Sequence, residues 1–181
     1  MTRHHEEKLL PFTAAQMFDL VADVARYPEF LPWTAAARIR SRVPLDGALR
    51  EAGPVEGGSI SGDPGADGHV GRGPIAADEV MVADLVISFK LFRERFGSRV
   101  TLLPGQGKIL TEYLDGPFRH LKSVWTFAEP PLGQIGCKIT FDVDFEFRNA
   151  ILAAVIGLVF NEAMTRVVRA FEARAKVLYA K

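Results

Sequence analysis

Four histidines, one cysteine and a run of alternating acids are the residues of this chain whose types could do chemistry. His4 and His5 adjoin near the start, His69 lies in a glycine-rich stretch, and His120 follows an Asp115-Gly116-Pro117 turn. A hydrolytic or metal site assembles its nucleophile, base or ligands at recognisable spacings such as H-E-x-x-H, and these histidines have none. The sequence therefore offers no catalytic residue and no metal site. His4-His5 reads as an unstructured end, and His120 as a solvated turn residue rather than a donor to a ligand carbonyl. Cys137 has no histidine nearby in sequence to lower its pKa, which makes it a small core residue rather than a nucleophile. Asp142, Asp144 and Glu146 recur at period two, so they share one strand face and read as solvated, not as paired catalytic acids.

Apolar side chains carry the stronger signal. Phe89, Trp125, Phe127, Phe141, Phe145 and Phe147 fall on the dry faces of strand candidates, where they either fill a core or line a tunnel. What favours a cavity is the stretch Ala150–Phe160, apolar all round, together with the greasy segment Phe30-Leu31-Pro32-Trp33, which could form a mouth. Thr111, Tyr113 and Ser123 are candidate inward polar groups for orienting a head group. The candidate ligand-binding residues are thus Phe30, Leu31, Trp33, Phe89, Trp125, Phe127, Phe141, Val143, Phe145, Ile156, Val159 and Phe160. Val143 and Ala154 are positions where a larger side chain would narrow the space.

The elements that must position these residues follow from periodicity. Ala14, Met17, Phe18, Val21 and Val24 recur at helical spacing, predicting a short amphipathic helix capped by Thr13. Two prolines among three aromatics make Arg26–Trp33 an irregular segment. From Val43 to Asp78, nine glycines and four prolines sit among Asp, Ser and Ala, the composition of a flexible insertion. Period-two alternation then predicts antiparallel strands over Met81–Leu91, Arg95–Leu102, Lys108–Tyr113, Leu121–Phe127 and Cys137–Phe147. Asn149–Tyr179 contains no proline and reads as one long helix. A short helix, a run of strands and a terminal helix make an α+β domain in which a curved antiparallel sheet wraps the long C-terminal helix.

Composition bounds the function. The 181 residues carry 22 Lys plus Arg against 22 Asp plus Glu, with 48% hydrophobic residues, which fits a single domain over 1–181 with a substantial core. Zero net charge removes the general attraction to phosphate, so nucleic acid is not the expected partner. One cysteine makes no internal disulfide, and the expected setting is reduced and cytoplasmic. The N-terminus mixes acids and bases and does not read as an export signal. Ala150–Phe160 is about half the roughly 20 residues that cross a bilayer, so no membrane span is expected.

Several motifs occur together and in order: Leu20-Val-Ala-Asp-Val-Ala-Arg-Tyr-Pro-Glu-Phe-Leu-Pro-Trp33, Phe96-Gly-Ser-Arg-Val100, Asp115-Gly-Pro-Phe118 with Leu121 and Trp125, Phe145-Glu-Phe-Arg148, and Ala170-Phe-Glu-Ala-Arg174. Over Leu9 to about Arg42 and Ala83 to Tyr179 the chain resembles the coenzyme Q-binding protein family of the START-like (polyketide cyclase/lipid transport) superfamily. The resemblance implies a helix-grip fold whose cavity binds ubiquinone or a related polyprenyl lipid. It also implies a carrier or chaperone that supports respiratory electron transport rather than a catalyst. The apolar groups Phe30, Leu31, Trp33 and Ile151–Phe160 near the mouth lead to an expectation of peripheral contact at the inner face of the bacterial cytoplasmic membrane. Two alternatives stay open: a ribosome-associating toxin-like protein, which relatives of the family include, and an aromatase/cyclase-like enzyme on the same fold. The chain departs from the family in the length of the 43–78 insertion and in Asn149, where serine is frequent.

Overall fold

Cys137–Phe147 (β7) buries every second side chain, from Cys137 and Ile139 to Phe145 and Phe147, and presents Asp142, Asp144 and Glu146 on the opposite face. The computed structural model, which describes residues 2–45, 75, 77–89 and 92–180, builds a curved seven-stranded antiparallel sheet around that strand. Thr2–Leu10 (β1), Thr34–Pro44 (β2), Glu79–Phe89 (β3), Phe92–Leu103 (β4), Lys108–Asp115 (β5) and Phe118–Ala128 (β6) complete it, in the order β1-β7-β6-β5-β4-β3-β2. Every neighbouring pair is antiparallel, so one face can be dry throughout. The interior of the expected 43–78 insertion lies outside the described residues.

Two strands correct the sequence reading. Residues 2–10 are not a loose end: they pair with β7 from Thr2 opposite Phe145 to Leu10 opposite Cys137. β1 gives no apolar period-two signal because His4, Glu6 and Lys8 on its inward side are polar, and two of them, His4 and Lys8, meet partners on the C-terminal helix, remote in sequence. The Lys8 ammonium donates to the Glu172 carboxylate, and the His4 ring lies 3.3 Å from the Asn161 side-chain oxygen. The Lys8 bond holds the Glu172 carboxyl below its ordinary range, so the stability it contributes is lost as pH falls through that lowered value. β2 gives a weak period-two signal because three successive alanines follow Thr34, Ile39 and Val43 are its only large aliphatic side chains, and two register irregularities shift its faces.

Ala14–Ala22 (α1) starts at a capping box, in which the Thr13 hydroxyl accepts from Gln16 N–H and the Gln16 side chain accepts from Thr13 N–H. A short 3-10 turn, Val24–Glu29, follows. The long helix Ala150–Tyr179 (α2) is capped by Asn149, whose side-chain oxygen accepts from Ile151 and Leu152, so asparagine does here what serine would do. By length and composition α2 could cross a bilayer, a test that core helices also pass. Its Phe160, Val168, Phe171 and Ala175 are seated in the core.

Those contacts close one end of the sheet. Phe18 packs edge-on to Phe127, and Phe171 meets Trp125, Tyr27 and Phe30. Gly136, in the β6–β7 connection, has φ +110°, and an added Cβ would stand 1.8 Å from the Leu10 carbonyl oxygen. Gly136→Ala is expected to cost about 3 kcal/mol from backbone strain and collision, lowering Tm by about 10 °C. An unchanged Tm in calorimetry would show that the connection relaxes freely.

Candidate functional site

Between the sheet and the middle of α2, from Ile156 to Phe171, lies a cavity of about 410 Å³. β7 supplies Phe141, Val143, Phe145 and Phe147, β6 supplies Phe118, Leu121, Ser123 and Trp125, and α2 supplies Ile156, Val159, Phe160, Ala163, Met164 and Val167. Leu85, Ile87 and Phe89 of β3 and Phe96, Ser98 and Val100 of β4 form the far wall. These residues share a face because strand side chains alternate, and every wall strand is in antiparallel register with its neighbour.

The lip is built by the irregular segment after α1, where Leu31, Pro32 and Trp33 line the opening. Trp33 has φ +60°, a conformation rare for a bulky side chain. Its carbonyl accepts from Ser88 N–H at 2.7 Å, and its ring meets Phe89 edge-on at 5.4 Å. Charged groups occur only at the rim among the lining residues: Glu94, Glu162 and Arg166, the last donating to Glu162 at 2.5 Å. Tyr27 also lines the space, but its hydroxyl donates to the Val21 carbonyl and burial pushes its phenol upward. The deep wall therefore offers rings, aliphatic groups and neutral hydroxyls.

Ten of the twelve candidates line this cavity: Leu31, Trp33, Phe89, Trp125, Phe141, Val143, Phe145, Ile156, Val159 and Phe160. Two do not. Phe127 lies behind Trp125, against Phe18, and Phe30 packs on Tyr27 and Phe171 beneath the Arg174 guanidinium. Ala154 is on the exposed side of α2, not over the cavity. Of the polar candidates, Thr111 and Ser123 line the wall and Tyr113 does not, while Ser98 joins them unforeseen. Strand parity could have found Ser98, since it is on the same face as Phe96 and Val100.

The residues weighed for catalysis stand elsewhere. His120 is in β6 rather than in a turn, and its ring is bonded to Asp144 on the outer face. His5 lies 2.5 Å from Asp142, which raises its pKa. Cys137 is fully buried, and burial pushes its thiol up to about 11. His69 lies outside the described residues, among which no cluster of His, Cys, Asp and Glu could hold a metal.

Comparison with known proteins settles the kinship. The model of the family described as polyketide cyclase / dehydrase and lipid transport matches residues 10–172. The chain belongs to this family. It is 33% identical over 178 residues to the ribosome association toxin RatA of Pseudomonas aeruginosa, covering 98% of each chain. It is 26% identical over 180 residues to the mitochondrial coenzyme Q-binding protein COQ10 homolog B of Xenopus laevis, covering 98% of this chain and 59% of that one. A START superfamily protein of Mycobacterium smegmatis superposes with a TM-score of 0.67 at 17% identity, covering 97% of this chain and 98% of that one. The fold is thus the START-like helix grip that the motifs implied. Its parts are now placed: the Leu20–Trp33 motif ends in the lip, Phe96–Val100 supplies one wall, and Ala170–Arg174 lies at the closed end of the grip helix.

Proposed function

We propose that this START-like protein binds ubiquinone or a related polyprenyl lipid and carries or shelters it in support of respiratory electron transport, without catalysing a reaction. The observation that carries this reading is the apolar cavity of about 410 Å³ whose mouth adjoins an exposed apolar stretch of helix. That volume is in the range of small-molecule sites, and a prenyl tail longer than the cavity would continue through the mouth. Ile151 is 78% exposed and Leu158 89%, a surface suited to contact with the inner face of a cytoplasmic membrane, where such a lipid resides. The COQ10 relative supports the same ligand class.

A second reading, association with the ribosome, is favoured by the 33% identity to the Pseudomonas aeruginosa toxin. The outer sheet face supports it less. Arg40 and Arg95 both pair with Asp84 and Asp115, and Lys138 with Glu7, so charges of both signs interleave there. Mass spectrometry of an organic extract of the purified protein tests the first reading and gradient co-sedimentation with ribosomal subunits the second. The expected result is a prenyl quinone in the extract and a rise in Tm on adding ubiquinone. An extract without prenyl lipid and an unmoved Tm would reject the carrier reading.

A further inference from the structure

Apart from Thr34, Glu94, Glu162 and Arg166, and from Tyr27, whose hydroxyl is already bonded to the Val21 carbonyl, the cavity wall is polar at one place. Ser98 on β4, Thr111 on β5 and Ser123 on β6 all line it. Thr111 stands directly opposite Ser123, and Ser98 opposite Tyr113, which is two residues from Thr111 on the same face. Opposed residues have Cβ atoms about 4.5–5.5 Å apart and diagonal ones about 7–8 Å, so Thr111 is near both neighbours. Ser98 and Ser123, with β5 between them, are about 10 Å or more apart, and a head carrying acceptor oxygens on opposite sides could span the three. Ser98 is 2% exposed, the one polar side chain so deeply placed among the described residues. The Tyr113 hydroxyl beside it is buried without a hydrogen-bond partner. Hydroxyls removed from water cost stability unless they are bonded, and packing gives no reason to gather them on adjacent strands.

Their depth matters as much as their chemistry. Ser98 is six residues along β4 from Phe92 at the hairpin beside the mouth, about 20 Å at the rise of a strand. The chain has two tryptophans, and they mark the two ends. Trp125 follows Ser123 by two residues on the same inner face, while Trp33 forms the lip.

We propose that the ligand is held head-first: a neutral head bearing acceptor oxygens receives hydrogen bonds from Ser98, Thr111 and Ser123, and the prenyl tail runs out along the apolar wall past Trp33. This rests on the quinone-binding reading and narrows it. The hydroxyl patch has no cation, and the rim Arg166 is paired with Glu162, so a quinone fits and a prenyl phosphate, whose charge would be buried unpaired, does not.

Decylubiquinone titrated into Trp33→Phe and Trp125→Phe variants tests the orientation, because the ring quenches tryptophan at short range. Quenching of Trp125 in the first variant should exceed that of Trp33 in the second by about threefold. Ser98→Ala/Thr111→Val should weaken decylubiquinone binding about tenfold, the loss of two neutral hydrogen bonds, while binding of diphenylhexatriene, which has no acceptor, stays within about twofold. Stronger or equal quenching of Trp33, or undiminished quinone affinity in the double variant, overturns the head-first arrangement while leaving quinone binding intact. If the double variant unfolds, the quenching ratio still decides. Absence of any decylubiquinone binding by the parent overturns the quinone reading and the orientation with it.

Discussion

Val143→Trp and Ala163→Trp are each expected to cut co-purified prenyl lipid by at least about tenfold. Val143 projects from β7 opposite Ser123, Ala163 projects from α2, and both line the cavity. An indole at either position occupies the space the ligand needs. Burying a tail contributes about 25 cal/mol per Å² of apolar area, so an obstruction that displaces a modest part of the tail removes more than the 1.4 kcal/mol that tenfold represents. In a close-packed core such a substitution costs about 1–3 kcal/mol from overpacking. Here the added volume enters existing space, so Tm should stay within a few degrees. Three controls should retain the lipid: Cys137→Ser, because Cys137 is buried in the core and not on the wall, His120→Ala, because His120 faces outward, and Ala154→Trp, because Ala154 is exposed. Equal lipid in Val143→Trp and in the parent would place the ligand outside this cavity.

Ile151→Glu/Leu158→Glu should lower co-sedimentation with vesicles containing anionic lipid by at least about tenfold, without changing Tm or quinone affinity in detergent. On the first half of α2, Ile151, Val155, Leu158 and Val159 are all exposed, at 78%, 52%, 89% and 37%. Their spacing places them along one side of the helix, and fully burying one such side chain is worth about 1.5–3 kcal/mol. Arg148, just before the helix, shares a groove with Ile151 and Val155, where its charge would favour an anionic surface. Leu31 and Val159 are poorer choices for this test, because both line the cavity and a charge there would disturb ligand and membrane together. Undiminished sedimentation of the double variant would refute a membrane role for this face.

The two effects are separable because the residues are. Apart from Val159, which belongs to both sets, the cavity residues of α2 face the sheet and the surface residues face solvent, so a lipid-free Val143→Trp protein should still bind vesicles, and a vesicle-deficient Leu158→Glu protein should still hold quinone in detergent. A common loss in both variants would point to a ligand-dependent change of the helix itself.

Much of the fold was legible in the sequence because period-two and period-3.6 patterns are local. The alternation in β7, the Thr13 capping box and the uninterrupted stripe of α2 each specify an element without reference to the rest of the chain. β1 was hidden because its inward Lys8 and His4 are balanced by Glu172 and Asn161 on α2, and no window of neighbouring residues contains that balance. The family motifs led to the lip and part of the wall. They did not separate Phe127 and Phe30, which pack at the closed end, from Trp125 and Phe141, which line the cavity. The sequence by itself determined which faces are dry, the elements that carry them and the greasy character of the early part of α2. Whether a dry side chain meets another across a closed core or looks into open space depends on the distance between helix and sheet. Only the tertiary structure decided that: Phe160, Val168, Phe171 and Ala175 seat α2 on the core, while Ile156, Val159, Ala163, Met164 and Val167 between and beside them look into open space, and that space is where a ligand fits.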